Sequence, residues 1–388
     1  MLKVVHVAPY FPPHIGGLQN HVDTLSREQA RRGLDVTVVT SSFGARAGER
    51  TDELGRRIVR LPSFHVGTDA VPVGLLRRCL TEKDRYDLIH LHGHMFYSTT
   101  VGALCNKLSP RVPTIMTFHG DYQKMSWLGR RVKRVRDSTQ GPFILGGVDR
   151  MIALTRYDAG FLESQGGDPS GIAVIPNGVP LDTFRPLPEQ NLVPLRERVG
   201  VQEGDRVVLF VGRLVDQKGP TCLVKAIPHV LEDVPDARFL IVGEGPLQHK
   251  AMTLGRELGL EASLSFLGVL PIEDLIAAYN ASWVVAVPSL WEGMPLVVLE
   301  AAACGRPVVA TSVHGIPESV EPGRTGVLVP PRDPVALAEG ISSVLTDPAR
   351  ARAMSEAALA KARAEFDLAL QVDRTVELYK RVVEADAV

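Results

Sequence analysis

The chain has 388 residues, enough for two domains of ordinary size, and 45% hydrophobic against 22% charged content excludes a disordered chain. Basic and acidic residues nearly cancel (43 against 44, net −1), so no whole-molecule field demands nucleic acid or a membrane surface. Four cysteines, Cys79, Cys105, Cys222 and Cys304, form no C-x-x-C pair, which argues against zinc or disulfide frameworks and for a reducing compartment. The apolar stretch at the N-terminus is too short for a signal peptide, and no run approaches the length of a membrane span. A cytoplasmic protein, soluble or peripheral, is the expectation.

Short β-branched apolar runs alternate with helical stretches along the chain, the pattern of parallel sheets covered on both faces. The predicted strands of the first half are Val4–Ala8, Val36–Thr40, Ile58–Leu61, Leu88–Leu91, Thr114–Thr117 and Arg150–Leu154, with helices such as Leu18–Arg32 between them. Prolines at 176, 180, 186, 188 and 194 then interrupt the alternation. A second series follows at Val207–Val211, Arg238–Val242, Leu264–Leu267, Trp283–Val287, Pro307–Thr311 and Gly326–Val329, before a helical tail. The fold class is therefore α/β, two doubly wound Rossmann-like domains facing across a cleft. Residues 1–180 form the first domain, 181–195 a linker and 196–365 the second domain. Residues 366–388 form a helix expected to pack back on the first.

Each domain opens with a strand and a glycine-bearing loop. Gly16 and Gly17 precede the helix at 18–32 and would let backbone approach an anion there. The spacing is not G-x-G-x-x-G, so a dinucleotide site is not supported. Arg213 and Lys218 lie five residues apart beyond a buried strand, and two cations on such a loop suit a diphosphate. Glu292 and Glu300 flank a strand-turn-helix junction, Trp291-Glu-Gly-Met-Pro-Leu-Val-Val-Leu-Glu300, where free backbone N–H groups suit phosphates and sugar hydroxyls.

In this order, with Gly243-Glu-Gly-Pro246, these motifs resemble the retaining glycosyltransferases of family 4, with their E-x7-E signature and GT-B fold. The resemblance runs from Pro9-Tyr-Phe-Pro-Pro13 to Gly326-Val-Leu-Val-Pro330 and is densest from 207 to 330. It implies a retaining, metal-independent transfer of a hexose or N-acetylhexosamine from a UDP- or GDP-linked sugar, with no cofactor. Arg213 and Lys218 would neutralise the diphosphate, and Glu300 would accept from the ribose hydroxyls. Glu292 would meet the sugar, aided by backbone N–H groups of Gly293, Met294 and Leu296. Pro295 stands where many relatives carry glycine, which removes one N–H from the first helical position. The strand end at Leu267-Gly-Val-Leu270 would bracket the base. His119, after a buried strand, would reach the donor sugar, and Asn177 matches the family at the domain junction. The alternatives are a non-catalytic nucleotide-sugar binder and a sugar-nucleotide epimerase on the same scaffold.

His90, His92 and His94 alternate into a turn and could suggest a metal, but that spacing rarely brings three ligands together. The chain also contains no D-x-D. No metal is expected. The segment Lys124–Arg136 is a basic amphipathic helix with Met125, Leu128, Val132 and Val135 on one face. Trp127, Arg130, Arg131, Lys133 and Arg134 are its candidate contacts with an acceptor or with the anionic inner face of a membrane. The acceptor is thus a soluble sugar, an aminocyclitol or a lipid-linked group, and nucleic acid is not expected.

Overall fold

Val- and Ile-rich runs buried on both faces have no solvent side to alternate toward, and here they build parallel sheets. The computed structural model describes residues 1–14, 16–66, 69–109, 112–120, 127–202 and 204–386, without the side chains at 127–130, 132 and 386. The chain divides into two units, Met1–Asn177 with Leu368–Val388, and Gly178–Asp367.

The strands of the first unit are β1 (Lys3–Val7), β2 (Asp35–Ser41), β3 (Gly48–Thr51), β4 (Arg57–Leu61), β5 (Ser63–Val66), β6 (Asp69–Pro72), β7 (Leu88–His92), β8 (Thr114–Thr117), β9 (Arg150–Ala153) and β10 (Ile172–Val174). Eight of them form one sheet in the order β10-β9-β8-β7-β1-β2-β4-β3, and β5 pairs with β6. Within the eight-stranded sheet all neighbours are parallel except the β3–β4 edge, and the separate β5–β6 pair is antiparallel. Successive residues of β1 serve opposite faces, as the two-residue period requires. Val5 and Val7 join Ile89, Leu91 and Met116 in one core, while Val4 joins Leu88, Ile115 and Ile152 in another. The helix Leu368–Asp386 covers the second core through Leu378, Tyr379 and Val382.

The second unit holds β11 (Arg206–Val211), β12 (Ala237–Val242), β13 (Leu264–Gly268), β14 (Val284–Val287), β15 (Val308–Thr311) and β16 (Gly326–Val329), in the order β13-β12-β11-β14-β15-β16. Helices Pro220–Asp233 and Pro334–Leu345 pack on its core, which includes Val208, Phe210, Phe239, Val284 and Ile341. Residues 181–195, expected as a linker, are folded into this unit. Asn280 accepts from Leu187 N at 2.8 Å and donates to Arg185 O at 3.0 Å, and Leu192 and Leu195 are buried. The prolines set local direction there without freeing the chain. The division falls instead at Asn177 and Gly178.

The loops after β11 and β12 approach so closely that side chains are excluded. A Cβ on Gly243 (φ 124°) would lie 2.1 Å from Gly212 O, a backbone atom that cannot swing away. Gly243→Ala should therefore cost about 1–3 kcal/mol, read as a lower midpoint of thermal unfolding. An unchanged midpoint would mean that the two loops separate freely.

Candidate active site

In the second sheet the chain winds from β11 outward to β12 and β13, then returns to place β14 on the other side of β11. Such a reversal leaves a crevice at the strand C-termini, where open α/β sheets bind ligands. The loops that border it are 212–219 after β11 and 288–295 after β14. Lys218 Nζ lies 2.5 Å from Glu292 Oε1, and Ser289 Oγ donates to the same oxygen at 2.8 Å. Gln217 ties the loops again: its carbonyl accepts from Leu290 N at 2.7 Å and its side-chain amide donates to Trp291 O at 3.0 Å. The Thr311 hydroxyl, at the end of β15, anchors the Ser289 carbonyl from below. Glu292 is only 7% exposed, so its charge depends on these partners. Arg213 is exposed and makes no ion pair among the described residues.

Glu300 lies one turn into the helix Leu296–Ala303 and accepts from the Tyr279 hydroxyl at 2.6 Å. Burial raises its pKa above the ordinary carboxylate value, against the hydrogen bond from Tyr279 and the charge of Lys218. The same burial, with the Glu300 charge, pushes the Tyr279 hydroxyl well above its usual value. Pro295, expected at the first helical position, is instead the N-cap, in extended geometry (φ −72°, ψ 123°). Leu296 is thus the first helical residue and keeps its N–H, so proline removes no donor from the helix itself. Gly293 and Met294 complete the turn between the two glutamates.

The first sheet reverses between β1 and β7. Gly16 is the N-cap of the helix Gly17–Arg31, which has neither a side-chain cap nor an acidic residue in its first turn. A Cβ on Gly17 would meet nothing within 4 Å. His6 and His90 are paired in register, and with His92 and Thr117 they continue the Val4–Leu88–Ile115 face as a polar layer. His6 Nδ1 lies 2.8 Å from His92 Nε2, and His6 Nε2 lies 2.7 Å from Gln29 Oε1. His90 contacts Tyr379 OH at 2.5 Å and Thr117 Oγ1 at 2.7 Å. His119 is half-buried, with Nε2 3.4 Å from His92 Nδ1 and its ring edge-on to His21 at 4.6 Å. His21 Nδ1 lies 2.8 Å from Asn177 Oδ1.

The structure thus brings His119 and Asn177 together through His21, and Lys218 together with Glu292. His94 leaves the expected His90–His92–His94 series: it follows the turn at Gly93 (φ 77°) and packs 4.6 Å from the Phe118 ring. The histidines that do converge are His6, His90 and His92, and His21, His92 and His119. His6, His21, Ser289 and Tyr279 escaped sequence reasoning, because strand register and the face of a helix bring them in. Of the basic helix, Lys124 and Met125 and the side chains of Trp127, Leu128, Arg130 and Val132 lie outside the described residues. Arg131 and Arg134 are exposed, Val135 is 63% exposed, and Lys133 pairs with Asp137 at 2.6 Å.

Residues 15–183 match the family model described as Glycosyltransferase Family 4, and residues 194–361 match Glycosyl transferases group 1. A D-inositol 3-phosphate glycosyltransferase of Corynebacterium diphtheriae is 30% identical over 97% of this chain and 92% of its own. The chain belongs to glycosyltransferase family 4. A GDP-mannose-dependent alpha-(1-6)-phosphatidylinositol monomannoside mannosyltransferase of Mycolicibacterium smegmatis is 31% identical over 89% of the chain and 90% of its own. Among solved structures, a sucrose-phosphate synthase from Thermosynechococcus elongatus superposes with a TM-score of 0.83 at 25% identity, covering 99% of this chain and all (100%) of that one. The family 4 protein has the GT-B fold and transfers sugar from a nucleotide sugar to an acceptor. No helix among its described residues is long and apolar enough to cross a membrane.

Two stability tests follow from the buried groups. Burial holds the pKa of His6 at about 4, against 6.5 when exposed, so the unfolded chain takes up a proton before the folded one does. Stability carried by neutral His6 is complete above pH 6.5 and falls by about 3 kcal/mol as pH drops towards 4. Urea titrations across that window should show it, and His6→Gln should flatten the loss. Glu300→Gln removes a charge that its surroundings oppose, so above neutral pH its Tm should match or exceed that of the wild type; a clear fall would show that the carboxylate stabilises the helix.

Proposed function

We propose that this transferase is a retaining, metal-independent enzyme that moves a hexose or N-acetylhexosamine from a UDP- or GDP-linked sugar to an acceptor hydroxyl. The observation that carries the proposal is the Lys218–Glu292 pair, which joins two loops at the switch point beside the exposed Arg213. A diphosphate placed there meets Arg213 and Lys218, which stabilise the charge of the leaving group without a divalent cation. Glu300, already accepting from Tyr279, keeps a second oxygen for the ribose hydroxyls. Glu292 and the backbone of Gly293, Met294 and Leu296 meet the sugar. His119, Asn177, Gly16 and Gly17 are the first-unit residues assigned to substrate contact.

The acceptor is best sought among phosphate-bearing polyols, free or as lipid headgroups. The names of the Corynebacterium and Mycolicibacterium relatives give an inositol phosphate and a phosphatidylinositol mannoside. Arg131 and Arg134, exposed on the helix Trp127–Leu145, suit either form, and with Trp127, Arg130 and Lys133 they would meet the cytoplasmic face of an anionic membrane if the headgroup is lipid-linked.

Thermal shift with UDP, GDP and ADP and their glucose, N-acetylglucosamine and mannose conjugates, with and without EDTA, tests the donor. A ligand at about 100-fold excess over Kd adds about 2.7 kcal/mol to the folded state. One base should give an EDTA-resistant shift. Arg213→Ala should stay folded, lose that shift and reduce kcat about 10²–10³-fold; unchanged turnover would reject the diphosphate assignment. Product of inverted anomeric configuration, read by NMR, would reject retention.

A further inference from the structure

We infer that the first unit carries a reversible thiol–disulfide site, in which hydrogen peroxide joins Cys79 to Cys105. Cys79 lies on the helix Leu75–Glu82 and Cys105 on the helix Tyr97–Leu108, and the two helices pack on each other. Cys105 Sγ is 3.9 Å from the carbonyl oxygen of Leu76. Leu76 precedes Cys79 by three positions and so shares its helix face. The Cys79 thiol donates a hydrogen bond to Cys105 itself. Two touching thiols in a core can be inert packing, so closeness alone carries little.

The surroundings set this pair apart. Lys83, four residues beyond Cys79, is only 5% exposed, and its ammonium donates to the Ser109 carbonyl just past the end of the Cys105 helix. The bond from Cys79, with the Lys83 charge, lowers the Cys105 thiol below its ordinary value against the effect of burial. The same bond raises Cys79. The other two cysteines go the opposite way from Cys105. Burial raises Cys222, and burial with the Glu300 charge pushes Cys304 up to about 12. Cys105 is therefore the nucleophile of the four and Cys79 its resolving partner, the arrangement of peroxide-responsive thiols. A cavity of about 20 Å³, bordered by Cys79, Lys83, Arg78 and Tyr86, leaves room beside the pair for one small molecule.

The chemistry balances with peroxide as the oxidant. The Cys105 thiolate attacks one peroxide oxygen, the O–O bond breaks, and the departing hydroxide takes a proton to become water. The Cys79 sulfur then gives up its proton and attacks the resulting sulfenic sulfur, whose S–O bond breaks to release a second water. Two thiols and one peroxide become one disulfide and two waters, and a thiol reductant reverses the oxidation. A reducing compartment suits such a site, because it returns the pair to the thiol state after each exposure. The bridge closes a loop over residues 79–105 that contains β7 and the turn at Gly93. Asp69 Oδ2 accepts from Tyr97 N at 2.8 Å, so the other end of the Cys105 helix is already tied to β6. The bridge would hold that helix at both ends. The site stands independently of the donor reading above.

Peptide mapping of the full chain tests the proposal. The chain is reduced with dithiothreitol, desalted, treated with hydrogen peroxide, alkylated and digested without reductant. A peptide joining Cys79 to Cys105 should appear, lighter by two hydrogens than its parts, and dithiothreitol should remove it. The oxidised chain should unfold at a higher temperature than the reduced one, since the bridge restricts the unfolded state. Cys105→Ser should abolish the link and that shift, Lys83→Met should slow its formation at neutral pH, and Cys222→Ser should form it as the wild type does. Far-UV circular dichroism identifies any variant that fails to fold; the wild-type map decides without it. Free thiols at both positions after peroxide, sulfinic acid at Cys105 without a bridge, or linkage through Cys222 or Cys304 instead, overturns the site.

Discussion

A parallel strand cannot follow its neighbour through a tight turn, so every parallel step in these sheets needs a crossover, and a sheet that starts in the middle must reverse once. Each unit does so, between β1 and β7 in the first and between β11 and β14 in the second. At those points the flanking connections part and expose strand ends without sacrificing core. Lys218, Ser289 and Glu292 meet at the second of these points. Gly243 and its neighbours let adjacent loops touch, and the Lys218–Glu292 pair then fixes their spacing.

The two units hold polar groups at these openings by opposite means. The second keeps a formal charge, Glu292, buried against a lysine and a serine, and a carboxyl, Glu300, whose pKa burial raises. The first keeps its imidazoles neutral, since burial depresses His6, His90, His92 and His119 far below the usual histidine range. A charged pair suits a site that must answer an anionic ligand. A neutral relay suits one where the orientation of lone pairs matters more than field.

The strands of the second unit were legible because each is an apolar β-branched run between turn residues, and the family motif lay where those runs end. In the first unit the same pattern found β1, β2, β4, β7, β8 and β9. It missed β3, whose Gly-Glu-Arg-Thr is exposed at every position and has no apolar face to give a period, and the four-residue β5, too short for its alternating Phe64 and Val66 to stand out. Proline count misread 181–195, because packing against Asn280 and Tyr279 is invisible to composition. Lys218, Glu292 and Glu300 were readable from spacing along the chain. The His6–His92–His119 relay was not: it depends on β1 lying beside β7 in one register, and on Gln29, which holds His6 and is itself bonded to Tyr379, on a helix 350 residues further along the chain.

That distant helix carries a temporal consequence. The first unit is discontinuous, closed by residues 368–386, while the second is one continuous stretch from Gly178 to Asp367. During synthesis every strand of the first unit is made before the second unit begins, yet its Val4–Leu88–Ile115 face stays uncovered and His90 lacks Tyr379 until the second unit has been delivered. Topologically the second unit is an insertion into the first, and the ribosome delivers the guest before the host is whole.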